Sequence, residues 1–211
     1  MTRRISLFII LFLHSCSVVN ISDYPSIAKT ILFGVDEVLI DEKFYSQMKY
    51  SFAVVKIGKY KKSILILASI SGEEYLWVGS NAEKVITVNG KIQKSYGLDH
   101  DIKFISGSEF SLNSNLNAYS SLVQLENPQA LVNIKYNLYY ESEELNVFNP
   151  SLEINTSVNG RYKKFIETYD AQKIDWKGEN NYWINEDGRV IKTIQSYHPL
   201  EPDVEITFYY K

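Results

Sequence analysis

The spacing of apolar positions along this chain changes character twice. Ile5 to Leu13 form an almost unbroken apolar run, interrupted only by Ser6 and preceded by Arg3 and Arg4. A helix over these nine residues covers ~14 Å, about half of the bilayer hydrocarbon core, so it is too short to span and fits the apolar centre of a secretory signal. Helical spacing then predicts a short helix from Ser26 to Phe33, with Ile27, Ile31 and Leu32 on one face, Ser26 as the cap and Gly34 as the stop. Asp41 to Met48 predict another turn or two of helix.

From Tyr50 the period becomes two. Tyr50–Ile57, Ser63–Ser71 and Glu74–Ser80 read as a meander of antiparallel strands. Lys84–Val88 and Lys91–Tyr96 flank Asn89-Gly90, a strong hairpin signal because both residues tolerate positive φ. The Ser- and Asn-rich stretch 106–129 reads as a long loop with a helical turn over Ala118–Leu125. Ile134, Tyr136, Leu138 and Tyr140 alternate with polar positions. Leu152–Val158 and Tyr162–Tyr169 are expected to pair across Asn159-Gly160, and Asn181–Asn185 with Arg189–Tyr197 across Glu186-Asp187-Gly188. Val204 to Tyr210 alternate to the end. Ten or so strands joined by tight turns, without a Pro- or Gly-rich linker, predict a single all-β domain. A sheet of that size must hide its edges, so the expected architecture is an antiparallel β-barrel or barrel-like sandwich with one or two short N-terminal helices.

Composition narrows the function classes. Cys16 is the only cysteine, which excludes an intrachain disulfide and a Cys-based metal cluster. Removing residues 1–15 takes away two arginines and no acid, so the formal net charge moves from −3 to −5. A mildly acidic chain has neither the electrostatic footprint for nucleic acid nor a polybasic segment for anionic lipid. Sixteen tyrosines, ten phenylalanines and three tryptophans suit strands.

Leu13-His14-Ser15-Cys16 closes the apolar run and resembles a bacterial lipobox, although His14 departs from its usual small or aliphatic residue. The resemblance implies acylation of Cys16, a signal peptide over residues 1–15, a lipidated tether over 16–25 and a periplasmic domain over 26–211. Two or more acyl chains give stable anchoring. Ser17 stands where an Asp would imply retention at the inner membrane, so the resemblance implies the outer membrane.

The candidate chemistry is sparse. Glu73-Glu74, Glu141 with Glu143-Glu144, Glu167 with Asp170 and Asp175, and Glu186-Asp187 could each offer a carboxylate pair, but most sit in predicted turns where acids are simply solvated. Glu167 lies inside a strand, where a buried hydrogen-bonding role is expected. Asp99-His100-Asp101 reads as a loop, because His198 is far along the chain and adjacent side chains diverge on extended backbone. No phosphate loop or nucleophile motif is present, and neither metal nor cofactor is expected. Trp176, Tyr182, Trp183, Tyr197 and Tyr209 could form a face that stacks on sugar rings, or could be ordinary core. Tyr182 and Trp183 are neighbours on a strand, so at most one faces the core.

Two blocks resemble a known family. The first runs Leu65-Ala68, Trp77-Val78-Gly79-Ser80, Val88-Asn89-Gly90-Lys91 and Tyr96-Gly97-Leu98. The second comprises Glu167, Trp176, Asn181-Tyr182-Trp183-Ile184, Gly188, Gln195 and Pro199. In order and spacing these resemble the group 4 capsule polysaccharide lipoproteins of the GfcB/YjbF type, with Lys91 where that family tends to carry Arg. The resemblance implies a barrel-like periplasmic domain serving capsule or extracellular polysaccharide assembly and export, beside an outer-membrane export protein of the same gene cluster. It brings no catalytic residue, and it implies structural roles for Trp77, Gly90, Gly97, Leu98, Glu167, Gly188 and Gln195. A non-enzymatic accessory role is the leading reading; a glycan-binding module and, behind it, a polysaccharide-modifying enzyme using Glu167 are the alternatives.

Overall fold

A computed structural model describes residues 40, 42–59, 62–107, 112, 118–145 and 161–211. The expected signal segment and tether, Cys16, the first expected helix and the expected strand Leu152–Val158 lie outside the described residues.

The described chain begins with a short helix, α1 (Glu42–Gln47). Twelve strands follow: β1 (Phe52–Ile57), β2 (Ser63–Ser71), β3 (Glu74–Val78), β4 (Lys84–Val88), β5 (Lys91–Tyr96), β6 (Ile102–Gly107), β7 (Ala118–Leu125), β8 (Ala130–Leu145), β9 (Arg161–Ala171), β10 (Trp176–Ile184), β11 (Val190–Gln195) and β12 (Val204–Tyr209). Each pairs antiparallel with its sequence neighbour, and β1 pairs with β12 from Phe52–Tyr209 to Ile57–Val204. The sheet therefore closes into a barrel, and closure removes the exposed edges that a sheet of this size would otherwise present.

Alternation decides which side chains fill the barrel. On β8, Val132, Ile134, Tyr136 and Leu138 are buried, while Asn133, Lys135 and Asn137 between them are exposed. The apolar face thus points inward and the polar face outward, opposite to the pattern of a membrane-spanning barrel. One exterior patch is apolar. Phe52 and Val54 of β1, Ile64 of β2 and Tyr209 of β12 point outward and are covered by α1 together with Ile40 and Met48. Phe52 stacks on Tyr209 with ring centroids 4.6 Å apart, and Phe44 of α1 meets Phe52 edge-on at 5.8 Å.

Two expectations need correction, and one strand carries no clear sequence signal. Ala118–Leu125 is a strand and not a helical turn: Ser121, Val123 and Leu125 face inward, and the Leu122/Leu125 spacing imitated helix because a serine occupies an inward position. β6 was not foreseen, since the register shifts between Phe104 and Ser106 and leaves Ile105 exposed, which interrupts the alternation. Tyr162–Tyr169 does not pair across Asn159-Gly160. It lies in β9, whose partners are β8 on one side and β10 on the other.

Candidate functional site

Two features stand out inside this frame: a charged cluster in the barrel interior and a cleft in its wall.

Along β9 the inward positions are Phe165, Glu167, Tyr169 and Ala171, which places a carboxylate in the middle of an apolar interior. Glu167 is 0% exposed, and both of its oxygens are occupied. Oε1 accepts from Lys91 Nζ at 2.8 Å and from the Tyr119 hydroxyl. Oε2 accepts from Asn180 Nδ2 at 2.7 Å and from the Tyr182 hydroxyl at 3.0 Å. Lys91 reaches Glu167 from β5, four strands away around the barrel, so the ion pair crosses the lumen. Its ammonium also contacts the Tyr119 hydroxyl at 2.7 Å and stands 3.5 Å from the centre of the Tyr136 ring. Burial pushes the Lys91 ammonium down to about 8, against the attraction of Glu167. Burial, with Glu167 close by, pushes the Tyr119 and Tyr182 hydroxyls well above their usual range. Lys serves here as a point charge. The second carboxylate oxygen, which a bidentate Arg would need, already has its donors in Asn180 and Tyr182.

Gln195 ties the same region together. Its Nε2 donates to the Gly90 carbonyl at 2.9 Å, and its Oε1 accepts from the Ile92 amide at 2.9 Å. These are backbone groups of the β4–β5 hairpin, held from β11 across the barrel. Gly90, at φ +77°, lies directly against β11: a Cβ there would come within 2.5 Å of Val190 Cγ1 and 3.0 Å of Thr193 Cγ2. Gly188 has a similar φ of +79° but open space around it. Gly90→Ala is therefore expected to cost about 2–4 kcal/mol, from strain plus overpacking, and Gly188→Ala only ~1. Thermal unfolding of the two variants tests this, and equal losses would discount the close approach of the hairpin to β11.

The cleft lies beside the same contact. The start of β5 is engaged from inside by Gln195, and β5 and β6 are paired only at Lys94–Lys103. A cavity of about 360 Å³ occupies the splayed seam, walled by Glu74, Gln93, Lys94, Phe104, Ser106 and Tyr119 among others. Glu74 and Lys94 form an ion pair at its rim, 3.1 Å apart. Tyr119 belongs to both features, lining the cleft while its hydroxyl engages Glu167; Glu167 itself is not part of the wall.

The aromatic face is not formed. Trp176, Tyr182, Trp183 and Tyr197 are 8%, 0%, 7% and 4% exposed. Tyr182 points inward as one of the expected pair does. Trp183 points outward but is covered by Lys164 and Lys192, which lie 5.5 and 5.6 Å from its ring and are held by Glu141 and Glu205. Trp176 donates to Ser196 Oγ at 3.2 Å and packs on Tyr169, and Tyr209 lies beneath α1. These side chains pack as core and cross-strand pairs.

The remaining motif residues fall at turns and packing points. Trp77 is fully buried, donates to Thr87 Oγ1 at 2.9 Å and packs on Phe208. Asp101 accepts from the Gly97 and Leu98 amides at 2.8 and 3.2 Å and from Ser95 Oγ at 2.7 Å, which makes 97–101 a tied turn with Leu98 on the core. Gly188 closes the β10–β11 turn by donating to the Asn185 carbonyl at 3.0 Å. His100 and His198, remote in sequence, stack at 4.8 Å, and His100 Nδ1 lies 2.6 Å from Glu201. Burial and the neighbouring His100 push His198 down to about 4. No local signal announced this pairing, and among the described residues no group of three or more His, Cys, Asp or Glu is arranged to hold a metal ion. The carboxylate pairing of Glu167 with Asp170 does not arise either, because the two lie at inward and outward positions of β9.

The model of the group 4 capsule polysaccharide lipoprotein family, GfcB/YjbF, matches residues 27–209. The chain belongs to that family. A solved structure of similar fold is the hypothetical lipoprotein YmcC from Escherichia coli (K12), with a TM-score of 0.60 and 14% identity over 80% of this chain and 88% of that one. At that identity the likeness speaks for the fold alone. No curated protein matches. In this GfcB/YjbF-family barrel the β4–β5 hairpin is held from two sides, with Gln195 of β11 on the Gly90 carbonyl and Glu167 of β9 on Lys91, although the three segments are far apart in the chain.

Proposed function

We propose that this protein is a lipid-anchored outer-membrane lipoprotein, facing the periplasm, that assists capsule or extracellular polysaccharide assembly or secretion without catalysing a reaction. The family match over residues 27–209 carries the reading. Two further points support it. The interior carboxylate has four donors and no exposure, so it serves the barrel's cohesion. The Leu13-His14-Ser15-Cys16 segment has the form of an acylation site, with Cys16 as the acylated residue. The partner in this reading is an outer-membrane polysaccharide-export protein encoded in the same gene cluster.

Two measurements test it. A strain lacking the chain is expected to lose surface polysaccharide; normal export in that strain ends the reading. Wild-type protein is expected to incorporate labelled palmitate and to sediment with outer membranes, whereas Cys16→Ser incorporates none. Equal membrane recovery of the two proteins would remove the anchor from the proposal.

A further inference from the structure

We propose that the cleft at the β5–β6 seam binds a short stretch of neutral or amino-substituted glycan. This rests on the polysaccharide role proposed above and gives that role a place on the molecule.

The cleft follows from the way the fold is held together. An antiparallel barrel gains from pairing every strand along its length, yet here β5 and β6 meet only at Lys94–Lys103. The first half of β5 is engaged from inside, where Gln195 takes the Ile92 amide and the Gly90 carbonyl, and a register shift against β4 leaves Gln93 as an extra residue there. The opening that remains, about 360 Å³, lies at the lower end of the size range typical of small-ligand sites. Its wall combines the rings of Tyr119 and Phe104 with the polar groups of Gln93, Ser106 and Ser121. A sugar presents the matching surfaces, with apolar C–H faces for rings and hydroxyls for amides, hydroxyls and carboxylates.

Charge narrows the class. Among the described residues the wall holds two carboxylates, Glu73 and Glu74, and one ammonium, Lys94, which is already engaged by Glu74 at 3.1 Å. Lys103 opposes Lys94 in register but is not part of the lining. An acidic sugar would meet a carboxylate without an uncommitted cation among the described wall residues, whereas a neutral or ammonium-bearing one would not be repelled. The site also differs from the Trp/Tyr face suggested by composition: of the aromatics lining it, neither Tyr119 nor Phe104 belongs to that group.

The test uses the full-length chain in detergent, titrated calorimetrically with cellotriose, chitosan trimer and trigalacturonate. Binding of the first or second with a millimolar or tighter Kd is expected, with trigalacturonate at least about tenfold weaker. Ser106 is exposed and lines the cleft, so Ser106→Trp fills it without entering the core. That variant should melt as wild type does and bind at least about tenfold more weakly. No binding of any probe up to about 10 mM, a preference for trigalacturonate, or undiminished binding by a folded Ser106→Trp would overturn the proposal. A strain lacking the chain separates the two levels. Lost export together with no binding discards only the cleft assignment, whereas normal export discards the polysaccharide role beneath it.

Discussion

Lys91→Met is expected to destabilise the barrel by about 3–5 kcal/mol, because it leaves the Glu167 carboxylate buried without its counter-charge. For a chain of this size that corresponds to a fall in Tm of roughly 10 °C. The ion pair is nearly inaccessible, with Lys91 3% and Glu167 0% exposed, so water cannot replace the missing ammonium. Asn180, Tyr182 and Tyr119 still donate to the carboxylate, but neutral donors solvate the charge less well than a cation at 2.8 Å. The double variant Lys91→Met/Glu167→Gln removes both charges and should recover most of the loss, since a buried pair replaced as a unit avoids the lone-charge penalty. Thermal unfolding by circular dichroism decides between charge and packing. If the double variant melts as low as the single one, the loss comes from the lysine's own contacts, among them the ammonium over the Tyr136 ring, rather than from the stranded carboxylate.

The second large effect is alkaline unfolding. Seven tyrosines, namely Tyr119, Tyr136, Tyr169, Tyr182, Tyr197, Tyr209 and Tyr210, have hydroxyls pushed above the usual value of 10, in each case chiefly by burial; Tyr209 is raised to about 12. A group whose folded value exceeds its unfolded value contributes stability that is complete below the unfolded value and is lost as pH rises. Above pH 10 the unfolded chain gives up protons that the folded chain keeps, at about 1.4 kcal/mol per pH unit for each such tyrosine. Lys91 acts in the opposite sense, but only between its folded value of about 8 and its unfolded value of 10.5, and for a single proton. The tyrosines therefore dominate, and cooperative unfolding is expected within one or two pH units above 10. Tyrosinate absorbance near 295 nm should appear in two phases, first the exposed rings and then a step coincident with the loss of the β-sheet circular dichroism signal. A smooth titration of all tyrosines with the sheet intact would show that the interior admits hydroxide and that these rings are not sealed.

Period-two alternation, the turn residues and the order of motifs were enough to read most of the strands and the family. The alternation from Val132 to Leu138 says which residues face inward, and Asn89-Gly90 says where a hairpin turns, because both are properties of short stretches of backbone. The same locality explains the misreadings. Ser121 at an inward position disguised β7, and the bulge at Ile105 disguised β6, since a single residue out of step is enough to break the pattern. The aromatic residues illustrate a different gap. Composition shows that tyrosine and tryptophan are abundant, but whether Trp183 is open to a partner depends on Lys164 and Lys192 lying over it from neighbouring strands.

By itself the sequence pointed to an antiparallel β fold of the capsule lipoprotein family, to a segment of lipobox form at 13–16, and to Glu167 as the unusual carboxylate within a strand. Only the tertiary structure decided that β1 meets β12, that Lys91 finds Glu167 from 76 positions away, that His198 stacks on His100, and that Gln195 engages the start of β5 from inside. Local patterns specify the face on which a side chain lies, since the pleat repeats every two residues. Which side chain it meets across the lumen is set by closure and register around the whole barrel, and no short stretch of sequence contains that information.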